Sequence, residues 1–589
     1  MKTLPYNYII LLIALTIFGK SFGLNQFTTA NKTHKVPEEK VYVHLSSTSL
    51  FSGERLYFKV YCLNKETNSP GNDSKIAYVT IVGDNNNILS KQKIKLIKGE
   101  GFSDFLIPTS IPSGQYKLIA YTALTFNQET DRFFIADLGI LNPYMPLDEK
   151  LTTVVQEDSI PRKPPSEYIQ NKDAFFQMEL LKTHYSLRED VNVKLINNDF
   201  KWNGVYSVSV RKKDDIIHIK KPDIHHNHVD PINTNALNSK IKMQPELDGE
   251  VLSGKITPKT EGLSVDYQSI VLSIPEESTV LKISNTNKEG HFTFNIDEDY
   301  ISNKVFLQIL GPDRDKFSIQ IDKQEEIDFS FLNFEKLKVN KGKKEKIIER
   351  SIKTQIEDSY SSLRQDTPVV IHNPDKDIYG AVFTTYNLDD YTRFPTLQET
   401  MTEIVKHSWF EKNQSKDSEY RLKVKGYVEL FHYEAPLVMV DGLFIQDHHI
   451  LYDLNAFQIK KIKLFRDKYF YQGDFFQGII VIETFDKNFY EENEDIEILS
   501  FNHFRPEYRK EYFKQNYNLE NISYDRLPDY RSQLLWEPKL KIQSSEYKFN
   551  FYTSDNEGIY EIVIEGFSDD GQAVSVTKPF VVKEKPTID

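Results

Sequence analysis

The sequence predicts a mainly β, multidomain molecule: immunoglobulin-like β-sandwiches plus one small α+β module. Three observations point there. Between Lys40 and Asn142 the chain gives about seven short strand signals separated by turn residues, the strand density of a sandwich. The chain carries 33 Tyr and 39 Phe beside an ordinary 24 Gly and 25 Pro, which suits pleated, half-buried surfaces and argues against disorder. Its 589 residues are enough for several hydrophobic cores.

Residues 1–23 read as a secretory leader. Lys2 gives the charged start, Ile9–Phe18 the apolar stretch and Ser21-Phe22-Gly23 the small-x-small cleavage site. The apolar run is short for a membrane span and no second one follows, so a soluble exported protein is expected. No cysteine stands next to the cleavage site, so no lipid anchor is expected. Cys62 is the sole cysteine, so there is no internal disulfide, which fits a bacterial periplasm or outer surface. It alternates with Leu56, Phe58 and Val60, the pattern of a buried core thiol. A net charge of −13 speaks against a nucleic-acid partner.

After a polar tether, residues 37–146 hold the first sandwich. Its strands are expected at Val41–His44, Arg55–Cys62, Ile76–Val82, Ile88–Leu96, Gly101–Pro108, Gly114–Thr122 and Phe133–Leu141. Turn residues separate them: Ser52-Gly53, Asp84 to Asn87, and Ile111 to Gly114. The segments KVYVHLSSTSLFSGERLYFKVYC and IPSGQYKLIAYT resemble the second macroglobulin-like domain of the α2-macroglobulin superfamily, in the form found in exported Bacteroidota proteins. Covalent trapping in that superfamily needs a GCGEQ thioester. Cys62 lies instead in YCLN, so trapping is not implied.

Leu147–Asp173 reads as a linker marked by Pro161, Pro164 and Pro165. Strands resume at Phe175–Lys182, Val191–Ile196 and Val205–Lys212, too few for a sandwich, and a His-rich loop follows through Asn238. Residues 245–325 form another module, with strands at Gly249–Thr257, Ser269–Ile274, Val280–Thr286, His291–Asp297, Val305–Leu310 and Phe317–Ile321. Gly254 to Thr257 and Asn285 to Phe294 resemble the carboxypeptidase regulatory-like sandwich, with Glu289-Gly290 in place of its usual Asp-Gly turn. Ile348, Ile352, Ile356 and Tyr360 recur at helical spacing and predict a helix over Val339–Tyr360. A second helix is expected at Thr396–His407, where Thr396 and Glu399 form a capping box.

Within 375–490, strands are expected at Tyr420–Lys425, Leu437–Val440, Lys460–Phe465 and Ile479–Thr484. The run PLVMVDGLFIQDHHILYDLNAFQIKKIKLFRDKYFYQGDFFQGIIVIET, residues 436–484, resembles the plug domain of TonB-dependent outer-membrane receptors. That plug normally sits in a β-barrel of about 22 strands, and the 105 residues after Thr484 are too few for one. The resemblance therefore implies a plug used for recognition, without its pore. In the tail, Tyr547–Ser554 resembles Gly101–Pro108, Glu557 to Ile564 parallels Ser113 to Ala120, and Ala573–Val582 would close a sheet. The expectation is a split macroglobulin-like sandwich, 173–216 plus 536–585, with the other modules inserted between its halves. The alternative is a separate four-stranded terminal domain.

His218, His225, His226 and His228 could ligate zinc or copper, but a flexible loop is the expected reading. The acidic run Glu491, Glu492, Glu494, Asp495 and Glu497 lacks EF-hand spacing. The run Lys336, Lys338, Lys341, Lys343, Lys344 and Lys346 reads as a solvated face. No GxSxG, Walker or dinucleotide motif occurs, although a glycosidase carboxylate pair stays open by counting. No cofactor or metal is expected. Aromatics are dense in the plug-like region: Tyr427, Phe431, Tyr433 and Phe444 accompany Tyr469, Phe470, Tyr471, Phe475 and Phe476 around a Gly-Asp turn. Those last five are the predicted partner-binding residues. Asp389–Phe394 and Leu527 to Ser532 with Trp536 are secondary candidates.

These readings converge on a non-enzymatic scaffold of an outer-membrane complex. Its expected partners are outer-membrane β-barrel proteins or their assembly and export machinery, with peripheral membrane association through those partners. A glycan or nutrient-uptake accessory, a non-covalent protease-binding protein and a hydrolase compete with this reading. No TonB box is evident at the mature N-terminus.

Overall fold

Strand Arg55–Asn64 is buried along nearly its whole length on both faces, and this sets the architecture. Leu56, Phe58, Val60 and Cys62 point into a core shared with Ala77, Val79, Ile81, Leu118 and Leu138. The alternate residues, Tyr57, Lys59 and Tyr61, point the other way, toward the second sandwich. In this computed structural model the described residues are 37–155, 176–213, 216–225 and 242–584, apart from 277–278, 325, 370–381, 413–418, 428–434, 472–473, 493–497 and 519–525. The expected leader, most of the Pro-rich linker, His226, His228, Phe431, Tyr433, Glu494, Asp495 and Glu497 lie outside them.

The first sandwich packs a sheet of Glu39–Leu45, Arg55–Asn64 and Glu100–Leu106 against a larger one. The larger sheet runs Ser49–Phe51, Phe134–Leu141, Gly114–Thr122, Ile76–Gly83, Asn87–Lys95, and ends on the distant Pro506–Glu507. The fold class expected from the sequence is the one observed: mainly β, in many sheets.

Strands from opposite ends of the chain share the second pair of sheets. Asp190–Asn197 lies antiparallel between Phe176–Leu180 and Glu546–Tyr552, with Val191 opposite Phe551 and Leu195 opposite Tyr547. Gly204–Lys212 is flanked by Gln533–Ile542 and Gly558–Phe567, and Ala573–Val582 follows. Their inner faces meet in one core containing Val193, Tyr206, Val208, Leu540, Phe551, Ile562 and Phe580. The chain leaves this sandwich at Lys212 and returns beside it, since the Lys212 N–H donates to the Ser532 carbonyl over 2.8 Å.

Glu250–Pro258, Ser269–Ile274, Val280–Asn285, His291–Ile296, Lys304–Ile309 and Phe317–Ile321 form two small sheets. Leu499–Asn502, which the sequence reading did not place, extends the second of them beside Lys304–Ile309. The next sheet runs Thr384–Asn387, Ile459–Tyr471, Asp474–Thr484, Leu437–Val440, Leu443–Phe444. Leu437–Val440 is apolar throughout because both its faces are covered. Val438 and Val440 meet the helix Leu397–Glu403, while Leu437 and Met439 meet Val271, Leu281 and Ile283 of the preceding module. Asp441-Gly442 makes the turn, with φ of 49° and 84°, and Asp441 accepts from the Thr484 N–H and hydroxyl at 2.7 and 2.6 Å.

The helix expected over 339–360 spans Lys344–Ser359, because Leu337–Asn340 is instead a strand parallel to Thr152–Val155. Its expected apolar stripe faces outward: Ile348 and Ile352 are 48 % and 51 % exposed. Its packed side carries Ile347, set on the cluster of Phe51, Leu337 and Val339, beside polar residues. Arg350 reaches down to Glu54 of the first sandwich at 2.7 Å and lies over the Phe51 ring at 4.2 Å. The second helix is shorter than expected, Leu397–Glu403, but opens on the expected Thr396–Glu399 capping box.

Candidate functional site

The predicted aromatic patch lies on a long hairpin, where Ile459–Tyr471 pairs with Asp474–Thr484 and Tyr469, Phe470 and Tyr471 oppose Phe476, Phe475 and Asp474. Alternation along the strands divides the five aromatics between two faces. Tyr469 and Tyr471 stack with ring centroids 5.8 Å apart, and with Phe476 they pack on the cluster of Val271, Leu281 and Ile283. The Tyr471 hydroxyl donates to the Leu281 carbonyl, and burial pushes its pKa up to about 12. These three residues are therefore packing contacts between modules, so the five predicted partner-binding aromatics do not share one face. Phe470 and Phe475 take the opposite face. Phe470 is 70 % exposed, and Lys468 lies 5.7 Å from the ring of half-buried Phe475. Tyr427, 66 % exposed, stacks under Arg466 at 4.3 Å.

The secondary candidates resolve differently. Trp536 is buried, stacked on Tyr57 at 6.0 Å and beside His44 at 5.4 Å, so it joins the two sandwiches and offers no contact surface. Asp529 is buried and accepts a bidentate pair of hydrogen bonds from largely buried Arg531. Arg393 closes a loop by donating to Asp389 and to the Ala456 and Ile459 carbonyls at 2.6, 3.0 and 3.0 Å.

A constellation that sequence spacing did not suggest lies between the sandwiches. His44 Nδ1 sits 2.6 Å from Ser207 Oγ, and its Nε2 lies 3.8 Å from Glu565 Oε2. The residue types are those of a hydrolytic triad, but His44 and Ser207 are buried. The Tyr61 hydroxyl covers Ser207 at 3.1 Å and donates to the Glu565 carbonyl at 2.9 Å. Burial, with Lys221 and Lys59 nearby, holds the imidazole pKa down to about 3. Gly566 lies against this seam, where a Cβ would come 2.6 Å from the Tyr61 hydroxyl. The arrangement is an interdomain polar seam, sealed from substrate.

A second buried network joins the first sandwich to the 250–321 module. Lys93 and His503 approach Glu250 Oε1 at 2.5 and 2.8 Å, and the Tyr300 hydroxyl donates to its other oxygen. Burial raises the Glu250 pKa, but His503 and Lys93 outweigh it and hold the carboxyl below its usual range. Nearby Glu246 has the opposite fate: burial above all, with the Glu250 charge adding, lifts it to about 7 despite Lys93. A carboxyl whose folded pKa exceeds its unfolded value binds more protons folded than unfolded, so stability falls as pH rises from about 4.5 to 7. Glu246→Gln is thus expected to match the parent near pH 4 and exceed it above pH 7, by on the order of 3 kcal/mol. Parallel thermal melts at pH 5 and pH 8 check this. Identical pH profiles for the two proteins would remove Glu246 as the cause.

His218 and His225 are exposed, and among the described residues no three His, Cys, Asp or Glu side chains group as a metal site. A cleft of about 590 Å³ lies between the two sandwiches and the Lys344–Ser359 helix, with Tyr57, Tyr512, Tyr530 and Trp536 in its walls.

No family model matches the chain. No curated protein matches it either. Among solved structures, the chain is similar to Salmonella alpha-2-macroglobulin reacted with methylamine, at 7 % identity over 93 % of this chain and 39 % of that one, with a TM-score of 0.23. Escherichia coli alpha-2-macroglobulin activated by porcine elastase matches at 8 % identity over 93 % and 44 %, with a TM-score of 0.23. A β-glucosidase from Listeria innocua in complex with isofagomine matches over 18 % of this chain and 16 % of its own, at 12 % identity and a TM-score of 0.13. The chain spans about two fifths of the length of these macroglobulins. The fold described above rests on this chain's own strand pairing.

Proposed function

We propose that the protein is a non-enzymatic scaffold of an outer-membrane complex, and that it meets a β-barrel partner through the outward face of the 459–484 hairpin. One observation supports this reading. The hairpin's inner face is locked by Tyr469, Tyr471 and Phe476, while its outer face carries Phe470 largely exposed. A hairpin held rigid on one side presents its aromatics on the other at little cost in ordering, which suits an interface anchor. The choice of a barrel partner follows from the resemblance of residues 436–484 to a receptor plug.

Phe470→Ala with Phe475→Ala is expected to weaken co-purification from detergent-solubilised outer membrane by about thirtyfold, at about 2 kcal/mol for a central anchor. The melting temperature should not change. Tyr471→Ala should lower the melting temperature instead. His218→Ala with His225→Ala is the neutral control. Normal recovery of the barrel protein by the Phe470/Phe475 variant sinks the proposal. Recovery of a protease or of bound oligosaccharide in place of a barrel would favour the competing readings.

A further inference from the structure

The cleft of about 590 Å³ between the two sandwiches has a wall shaped by an irregularity in strand pairing. Along Gln533–Ile542, Leu535 lies opposite Val210 and Gln533 opposite Arg211, so Leu534 is an extra residue, a β-bulge. The bulge resets the alternation of side chains. Gln533 and Trp536, three positions apart, both fall on the face of Arg211 and Ser209, and both line the cleft. Trp536 is too deep to meet a protein surface, but it walls a space that a small ligand fits. We propose that this cleft binds a neutral saccharide, with Gln533 and Trp536 as its polar contacts. The inference is independent of the hairpin.

The two side chains leave complementary atoms unmet. Gln533 Nε2 donates to Ser209 Oγ and to the Leu535 carbonyl at 3.0 and 2.7 Å, but its Oε1 is buried and meets no donor among the described residues. Trp536 Nε1, also buried, meets no acceptor among them. Buried polar atoms are nearly always paired, so two orphans on one cleft wall call for a partner from outside the chain. That partner must offer an acceptor to the indole and a donor to the amide.

Charge and shape narrow its class. The five cations that line the cleft each hold a carboxylate, one of Glu54, Asp104, Glu357 and Asp529. An anionic ligand would have to break one of these pairs, so a neutral one is favoured. Tyr57 stacks on the indole with its plane tilted by 28°, and Tyr512 meets Tyr57 edge-on at 5.2 Å, so apolar ring surface stands beside the polar pair. A pyranose matches this combination, because each hydroxyl both donates and accepts while the ring carbons give an apolar flank. The volume lies within the roughly 300–1,000 Å³ of small-ligand sites. An extended peptide edge also carries donors and acceptors, but it is held by a ladder of backbone partners, and the orphans here are side chains.

Titration calorimetry of the full chain with cellobiose and with maltose tests the site. One of the two should bind in the millimolar range or tighter, with an affinity that does not change as salt is added. Trp536→Phe keeps an aromatic ring on Tyr57 and removes the N–H. Gln533→Met keeps the length of the side chain and removes the acceptor. Each should weaken binding by about tenfold, the effect of one hydrogen bond lost from a buried group. If one variant fails to fold, the other decides. Hydrogen exchange on the parent gives a readout that needs no variant: the sugar should raise protection in Gln533–Ile542 and leave the 459–484 hairpin unchanged. The proposal is overturned by failure of both sugars to bind at high millimolar concentration, by parent-like binding in the folded variants, or by protection that appears elsewhere. Tighter binding of N-acetyl-tetra-alanine amide than of either sugar would assign the cleft to peptide and overturn it as well.

Discussion

A chain ending at Lys510 is expected to lose amide protection throughout Val191–Ile196, while the first sandwich keeps most of its own. The cause is in the register: every residue from Asp190 to Ile196 faces a partner between Glu546 and Tyr552. Gly204–Lys212 likewise loses both its neighbours, Gln533–Ile542 and Gly558–Phe567. Removing them strips one side of the core and leaves buried N–H and C=O groups unpaired. Hydrogen exchange by mass spectrometry reads the outcome directly. The affected strands should exchange as locally unfolded segments. Unchanged protection at Val191–Ile196 would mean the N-terminal strands hold a stable structure of their own.

Among single substitutions, Glu54→Gln should be the most damaging. Its buried carboxylate accepts from Arg211 at 2.7 Å, from Arg350 at 2.7 and 2.8 Å and from the Phe51 N–H at 3.2 Å. Neutralising it leaves two largely buried guanidiniums facing each other, which costs about 3–5 kcal/mol. Burial alone would raise its pKa, yet Arg350 and Arg211 outweigh that and hold it at about 2. The folded pKa lies below the unfolded one, so this stabilisation is present above about pH 4.5 and disappears as pH falls through 2. Urea denaturation at pH 7 should show the full loss in the variant, and the gap between variant and parent should close in acid. Arg350→Met should be milder, because Arg211 remains with Glu54. A Glu54→Gln cost below about 0.5 kcal/mol would show that the arginines find other partners.

Strand positions were legible because alternation is local. Leu56, Phe58, Val60 and Cys62 announce their shared face in the sequence alone, and the structure buries all four in one core. What failed was competition between signals. The recurrence of Ile348 and Ile352 located the helix but not the face it packs: Ile347 and Arg350 turn toward the first sandwich, Arg350 onto Glu54 almost 300 positions away, and Ile348 and Ile352 stay exposed. Leu499–Asn502 was missed because its residues are only half-buried and follow an acidic run, so no period stands out. At the hairpin the aromatics were read as clustered around a turn, whereas Tyr469, Phe470 and Tyr471 pair across strands with Phe476, Phe475 and Asp474. Strict alternation would have separated Phe470 from Tyr469 and Tyr471 without coordinates. The polar seam of His44, Ser207 and Glu565 and the cleft walled by Tyr57 and Trp536 join side chains from distant segments, and no spacing in the sequence reports such a meeting.

The second sandwich also dictates an order of assembly. Ser209 and Gln533 are hydrogen-bonded neighbours 324 positions apart. Closing a disordered loop of that length costs roughly 5 kcal/mol from its logarithmic term alone. The chain departs after Lys212 and comes back at Ser532, touching itself there. Inserted modules that have already folded act as a splint, holding the two ends together so that closure costs little. During synthesis the strands of residues 176–212 must therefore wait, edges open, until residues 533–582 emerge. Mutations that slow folding of the insert would then injure a sandwich they never touch, and would do so through the rate of assembly while leaving the finished protein's stability nearly intact.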